Sequence, residues 1–156
     1  MNVLILGANS KIAQLVEQQI LYDKAFADTK LTMFLDEDRS INDLESSQAS
    51  VIVGDSNNLS DLEAATEDQD VVFDITEATN KEQITTKLMQ AMEANGVIRI
   101  VSVNDFNDQS TRLYQDKGFN YTFLRRESNV DNKLVEVILR IIDDSGYLLN
   151  KDIKLN

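Results

Sequence analysis

The chain has 156 residues, 42 % of them hydrophobic, and a formal net charge of −12; that is apolar material for one core beneath a surface that repels a nucleic-acid backbone. Its densest basic spot, Leu124 to Glu127, is too short to reverse that repulsion, so no nucleic-acid partner is expected. Cysteine and histidine are both absent, which removes disulfides, thiolate metal sites, cysteine nucleophiles and the usual general base near neutral pH, and leaves acid–base chemistry to Tyr, Lys, Asp, Glu or a cofactor, with no metal site expected.

In chain order, the apolar run Val3–Leu6 predicts a first strand, and the stripe Ile12, Leu15, Val16 and Ile20 predicts a helix directly after it. Strands are expected at Leu31–Leu35 and Val51–Val53, then a short helix opened by Ser60 with Glu63 and running through Leu62 and Ala65. A strand at Val71–Ile75 leads to a helix begun by Asn80 with Gln83, striped by Ile84, Leu88, Ala91 and Met92, and ended by Asn95-Gly96. Strands at Val97–Val103 and Tyr121–Leu124 follow, and then a helix from near Ser128 through Leu134, Val137, Ile138 and Ile141, stopped by Ser145-Gly146. Several of these strands are apolar on both faces, as strands covered by helices on each side must be. The alternation predicts an α/β fold, Rossmann-like and doubly wound, with a mainly parallel sheet and helices on both faces, in one compact domain over residues 1–156. The opening "MNVLIL" lacks the flank and length of a signal peptide, and no apolar run nears the ~20 residues needed to span a bilayer, so a soluble, cytoplasmic protein without a membrane partner is expected.

The stretch "VLILGANSKIA" carries the first candidate chemistry. A strand ending in a tight turn and entering a helix offers free N–H groups and a partial positive charge to a pyrophosphate. Of the three glycines such a turn uses, Gly7 keeps the first, Ser10 replaces the second and Ala13 the third. Ser10 adds a side chain where backbone should approach phosphate, but it can cap the helix and offer a hydroxyl. At the second strand's tip Asp36 suits the ribose 2′-hydroxyl of NAD, while Arg39 keeps the 2′-phosphate of NADP open; a plain solvated loop is the alternative.

Taken together, several segments resemble the NmrA-like, NAD(P)-binding atypical short-chain dehydrogenases, from Met1 to about Asn129. "VLILGANSKIAQLVEQQIL" looks like that family's opening turn and helix. Gly54-Asp55, Leu59 to Ala65 and Asp70-Val71-Val72 match its V-x-G-D, D-x-x-x-L-x-x-A and D-x-V-x stretches. "AMEANGVIRIVSVND" matches its A-x-G-V pattern before the fifth strand, and "NYTFLRR" its Y-T-x-L-R-P, with Arg126 in place of the proline. The resemblance implies NAD or NADP as cofactor. It implies that Gly7, Ala8, Asn9, Ser10, Lys11 and Ile12 form the phosphate loop, that Asp36 and Arg39 meet the adenosine ribose, and that Asp55 and the next residue lie beside the adenine. Ile75 and Thr76 would face the rest of the dinucleotide, with Asp74 as an exposed carboxylate set awkwardly near the pyrophosphate.

Short-chain dehydrogenases pair a serine at the fifth strand with Tyr-x-x-x-Lys on the next helix, the lysine lowering the tyrosine pKa so that the phenol passes a proton while the cofactor passes hydride. The counterparts here are Ser102, Tyr114 and Lys117, with the last two one residue closer than that spacing. A half-buried aromatic and a solvated charge is the structural alternative. The family continues past the "LRR" stretch into a substrate-covering subdomain, whereas little chain follows it here to build a lid. The function implied is hydride transfer to a small carbonyl or quinone. The alternatives are a non-catalytic dinucleotide sensor or interaction module, and a Rossmann domain that has lost its nucleotide. Homodimerisation through the apolar "KLVEVILRII" helix is left open beside its burial in the chain's own core.

Overall fold

The computed structural model describes residues 1–36, 47–105, 112–127 and 130–156. Among these residues seven strands make one sheet: β1 (Asn2–Leu6), β2 (Lys30–Leu35), β3 (Ala49–Val53), β4 (Val71–Asp74), β5 (Arg99–Asp105), β6 (Asn120–Arg126) and β7 (Lys151–Leu155). Their order is β3-β2-β1-β4-β5-β6-β7, and every pairing is parallel. The helices are α1 (Lys11–Tyr22), α2 (Leu59–Thr66), α3 (Lys81–Asn95), α4 (Arg112–Asp116) and α5 (Asp131–Asp143), with a 3-10 turn at Lys24–Phe26. This is the doubly wound α/β fold expected from the sequence. The chain leaves β1 in one direction for β2 and β3 and in the other for β4 onward, so β1 and β4 flank the topological switch.

The burial pattern of β1 explains its central place. Val3 and Ile5 sink into a layer with Ile12, Val16 and Ile20 of α1 and Leu134, Ile138 and Ile141 of α5. Leu4 and Leu6 point the other way, into Leu62, Ile84, Leu88 and Met92 of α2 and α3. Each such aliphatic side chain contributes about 1.5–3 kcal/mol by leaving water. The apolar stripe of α5 is therefore spent on the sheet.

Local chemistry set the helix ends, in places differently from the sequence reading. Asn58, not Ser60, caps α2, its Oδ1 accepting from the Asp61 amide at 3.2 Å; Ser60 already lies inside the helix. Asn80 makes no side-chain cap on α3, because its Nδ2 donates to Asn57 Oδ1 at 2.6 Å and ties the α3 entrance to the loop after β3. The α3 exit is as expected: Gly96 takes φ +68, and the Val97 amide donates back to the Met92 carbonyl at 2.9 Å. Val97 thus belongs to that turn, and β5 starts at Arg99. Ser128, the expected start of the last helix, lies outside the described residues.

The seventh strand was not anticipated. The tail "KDIKL" lies parallel to β6, pairing Phe123 with Asp152 and Leu124 with Ile153. Two arginines hold it. Arg125 Nε donates to Asp152 Oδ1 at 2.8 Å. Arg99, buried at the start of β5, donates to the Ser145 carbonyl at 2.9 Å, the Thr122 hydroxyl at 2.8 Å and the Tyr147 carbonyl at 3.4 Å. Among the described residues, no helix is long and apolar enough to cross a membrane.

Candidate dinucleotide site

The turns that follow the strands at their carboxyl ends converge on the switch between β1 and β4. Gly7 opens the first turn at φ +80, a conformation that a side chain disfavours. The turn closes through Ser10 N–H to the Gly7 carbonyl at 3.1 Å and is held to β2 by Ala8 N–H to the Phe34 carbonyl at 3.2 Å. Ser10 is the N-cap of α1: its backbone is extended and its Oγ accepts from the Ala13 amide at 3.2 Å. The glycine that is missing from this turn has become a cap, and the first-turn amides of Lys11 and Ile12 have no intrahelical acceptor. Ala8 and Ile12 are buried and fix the turn, while Asn9 is exposed. Lys11 is 79 % exposed, with Asp131 3.9 Å away, so its ammonium can swing over the helix N-terminus.

Asp36 stands exposed at the tip of β2, one carboxylate oxygen accepting the Ser56 amide at 3.1 Å. That bond joins the ends of β2 and β3. Arg39 lies outside the described residues. Asp55 is exposed and closes its own turn by accepting from the Asn57 amide at 2.8 Å.

At the tip of β4 the expectation of an exposed Asp74 is overturned. Asp74 is fully buried, because its position on β4 faces α3 rather than the turn. Its Oδ1 accepts from Lys81 Nζ at 3.1 Å and from the Thr76 amide at 3.0 Å, and Lys81 also donates to the Thr76 carbonyl at 2.8 Å. The charge is compensated within the protein, so it does not oppose a pyrophosphate. Ile75 and Thr76 are buried beside the Gly7 turn. Among the described residues, Asp74 Oδ2 and the Thr76 hydroxyl are buried without a hydrogen-bond partner.

Next to this turn, over the tips of β4, β5 and β6, opens a cavity of about 540 Å³. Its polar lining is Thr76, Glu77, Thr79, Lys81, Asn104 and Arg126, against an apolar wall that includes Val103. Lys81, Glu77 and Asn104 were missed in the sequence because each looks like an ordinary surface polar residue there. Only Arg126, at a position where the resembled family has proline, carried a signal.

The three residues expected to do chemistry are not brought to one open site. Ser102 is buried on β5, its Oγ bonded to the Asn104 carboxamide, with Asn104 Nδ2 donating at 3.0 Å. Tyr114 is fully enclosed, its ring edge-on to Phe119 at 5.8 Å and tilted against Phe123 at 6.3 Å. Burial pushes its phenol well above the ordinary value, the Asp74 charge pushes the same way, and the neighbouring Thr85 hydroxyl opposes them. Lys117 is exposed in the turn after α4. That environment does the reverse of what a proton-passing phenol needs, which is a cation close by and a lowered pKa. Among the described residues, no group of three acidic side chains could hold a metal ion.

A glycine turn capped into a helix at the switch of an all-parallel sheet, flanked by an exposed acid on the second strand, defines a Rossmann dinucleotide-binding protein. The NAD(P)H-binding family matches residues 7–140, and the chain belongs to that family. Its cofactor is NAD or NADP. Among solved structures it is similar to a Rossmann-fold NAD(P)-binding family protein from Shigella flexneri, at 25 % identity and TM-score 0.84, over 99 % of this chain and 92 % of that one. A nucleoside-diphosphate-sugar epimerase from Staphylococcus aureus matches with TM-score 0.82 at 16 % identity, over 99 % of this chain and 71 % of its own. A short-chain dehydrogenase/reductase from Veillonella parvula, in complex with NADP, matches with TM-score 0.78 at 19 % identity, over 98 % and 93 %. The last two likenesses speak to the fold. No curated protein matched the sequence.

Proposed function

We propose that the protein is an NAD(P)H-dependent oxidoreductase of the NmrA-like, atypical short-chain dehydrogenase kind, acting on a small carbonyl or quinone in the cytoplasm as one domain over residues 1–156. The observation that carries the reading is the juxtaposition of the Gly7–Ile12 turn with a 540 Å³ cavity over β4, β5 and β6. A dinucleotide laid across the switch puts its pyrophosphate on the α1 N-terminus and its far end beside Ile75 and Thr76, at the cavity wall.

In this reading the first-turn amides of α1, the Ser10 hydroxyl and Lys11 hold the pyrophosphate, and Asp36 reads the ribose. Asp55 and Ser56 flank the adenine. The bound cofactor would supply hydride, and water in the solvent-open cavity would supply the proton. Thr76 and Asn104 orient the substrate, and the Asp74–Lys81 pair keeps the β4 tip rigid. Tyr114 is given no proton-transfer role, since its phenol does not reach the cavity. A second reading, a dinucleotide-responsive module without turnover, is favoured by that same enclosed phenol and by Ser102 being bonded to Asn104.

Titration with NADH and NADPH, followed by cofactor fluorescence and thermal shift, tests both readings. Saturable micromolar binding is expected to raise Tm as ligand exceeds Kd. The exposed Asp36 carboxylate should favour NADH, and Asp36→Ala should narrow the gap between the cofactors. Consumption of either cofactor with a carbonyl or quinone panel separates oxidoreductase from sensor. Absence of binding at millimolar cofactor would sink both.

A further inference from the structure

We propose that the cavity over β4, β5 and β6 takes a small substrate bearing a carboxylate, that Arg126 selects it, and that Glu77 holds its place in the ligand-free protein. This rests on the reading of that cavity as the substrate side of the dinucleotide site.

The charges at the cavity are unequal in freedom. Lys81 is buried and committed to Asp74 and the Thr76 carbonyl. Among the described residues, Arg126 pairs with Glu77 through Nη2. Its side chain is 21 % exposed, and its backbone is fixed in β6, in register with Asp105 and Leu155 on either side. Glu77 is 61 % exposed, in the irregular segment between β4 and α3. One partner is anchored in the sheet and the other stands largely in water.

Glu77 can leave the pair for water, since its side chain already stands largely in solvent while Arg126 stays fixed in the sheet. A guanidinium offers five donors in a planar fork and binds a carboxylate best through two parallel bonds. A ligand carboxylate within the cavity can make that bidentate contact while Glu77 swings into solvent. The neighbouring Asn104 carboxamide and the apolar wall at Val103 suit the remainder of a small organic acid. Among the described residues, the buried Thr76 hydroxyl still lacks a partner. With a net charge of −12, the protein's long-range field works against anions, so affinity must come from local bonds at this arginine.

The test uses calorimetric titration of the full chain with pyruvate, succinate and benzoate, each against its uncharged amide, and with inorganic phosphate as a further arm. NADPH binding is measured separately in every variant. Carboxylates are expected to bind more tightly than their amides. Arg126→Gln should weaken them about 10- to 100-fold, the loss of a charge-assisted pair, and Glu77→Gln should strengthen them by up to about fivefold. Equal binding of acids and amides, indifference to Arg126→Gln, or Arg126-dependent binding of phosphate but of no carboxylate overturns the assignment. Intact NADPH binding with no carboxylate preference defeats the substrate class alone. Lost NADPH binding defeats the cofactor reading, and the Arg126 dependence still decides the anion site.

Discussion

Gly7 lies directly against the Thr76 backbone: a Cβ on Gly7 would stand 2.7 Å from the Thr76 nitrogen and 2.8 Å from the Ile75 carbonyl carbon. The first glycine of the turn is therefore needed for the approach of β1 to β4 as well as for its φ of +80. Neither backbone atom can yield without moving the tip of β4. Gly7→Ala is expected to cost about 1–3 kcal/mol from the conformation alone, and to weaken NADPH binding by shifting the turn. Denaturant unfolding and cofactor fluorescence measure the two effects.

Ser10 makes different predictions for two small substitutions. Ser10→Ala removes the Oγ that accepts the Ala13 amide and should cost about 1 kcal/mol. Ser10→Gly should cost only a few tenths, because glycine is a tolerable N-cap, and it restores the close backbone approach to phosphate. Both variants lose the hydroxyl, and the glycine variant should bind NAD(P)H more tightly than the alanine variant.

Tyr114→Phe separates structure from chemistry. Turnover with any productive substrate should be unchanged, because the enclosed phenol does not reach the cavity. The folded state holds the phenol proton more firmly than the unfolded chain does, so it binds more protons above pH 10.0 and the wild type loses stability as pH rises beyond that point. The variant should lack this share of the loss. Urea unfolding between pH 9 and 11 (values set by the ordinary phenol pKa of about 10) would show it.

Arg99→Met should unfasten the segment before β7 and cost about 1–3 kcal/mol, because the carbonyls of Ser145 and Tyr147 lose their donor. Burial lowers the Arg99 pKa to about 10. Between that value and the ordinary one, the folded state binds fewer protons than the unfolded chain, so this residue's contribution grows with pH. The stability gap between wild type and variant should widen above pH 10, which is the opposite of the Tyr114 effect.

These residues also mark how far the sequence could be read. The strand–helix alternation was visible because β1 and β4 are apolar on both faces and α1 and α3 carry stripes at helical spacing; that periodicity is local, so it survives without any knowledge of partners. The turn at Gly7 was visible for the same reason. β7 was not, since "KDIKL" alternates only weakly and is held by Arg125 directly and by Arg99 through the segment before it, across separations of 27 residues and more. The burial of Asp74 and Tyr114 was equally hidden: one residue of strand register and one short helix decide it. The cavity's charges depend on which loops meet over β4, β5 and β6, and no local spacing records that.

The fastening of β7 also bears on synthesis. The Ser145 carbonyl that receives Arg99 lies 46 residues further along the chain. At about 5–20 residues per second, a ribosome delivers the cation roughly 2–9 s before that acceptor exists. In that interval the guanidinium lacks the carbonyl acceptors of Ser145 and Tyr147.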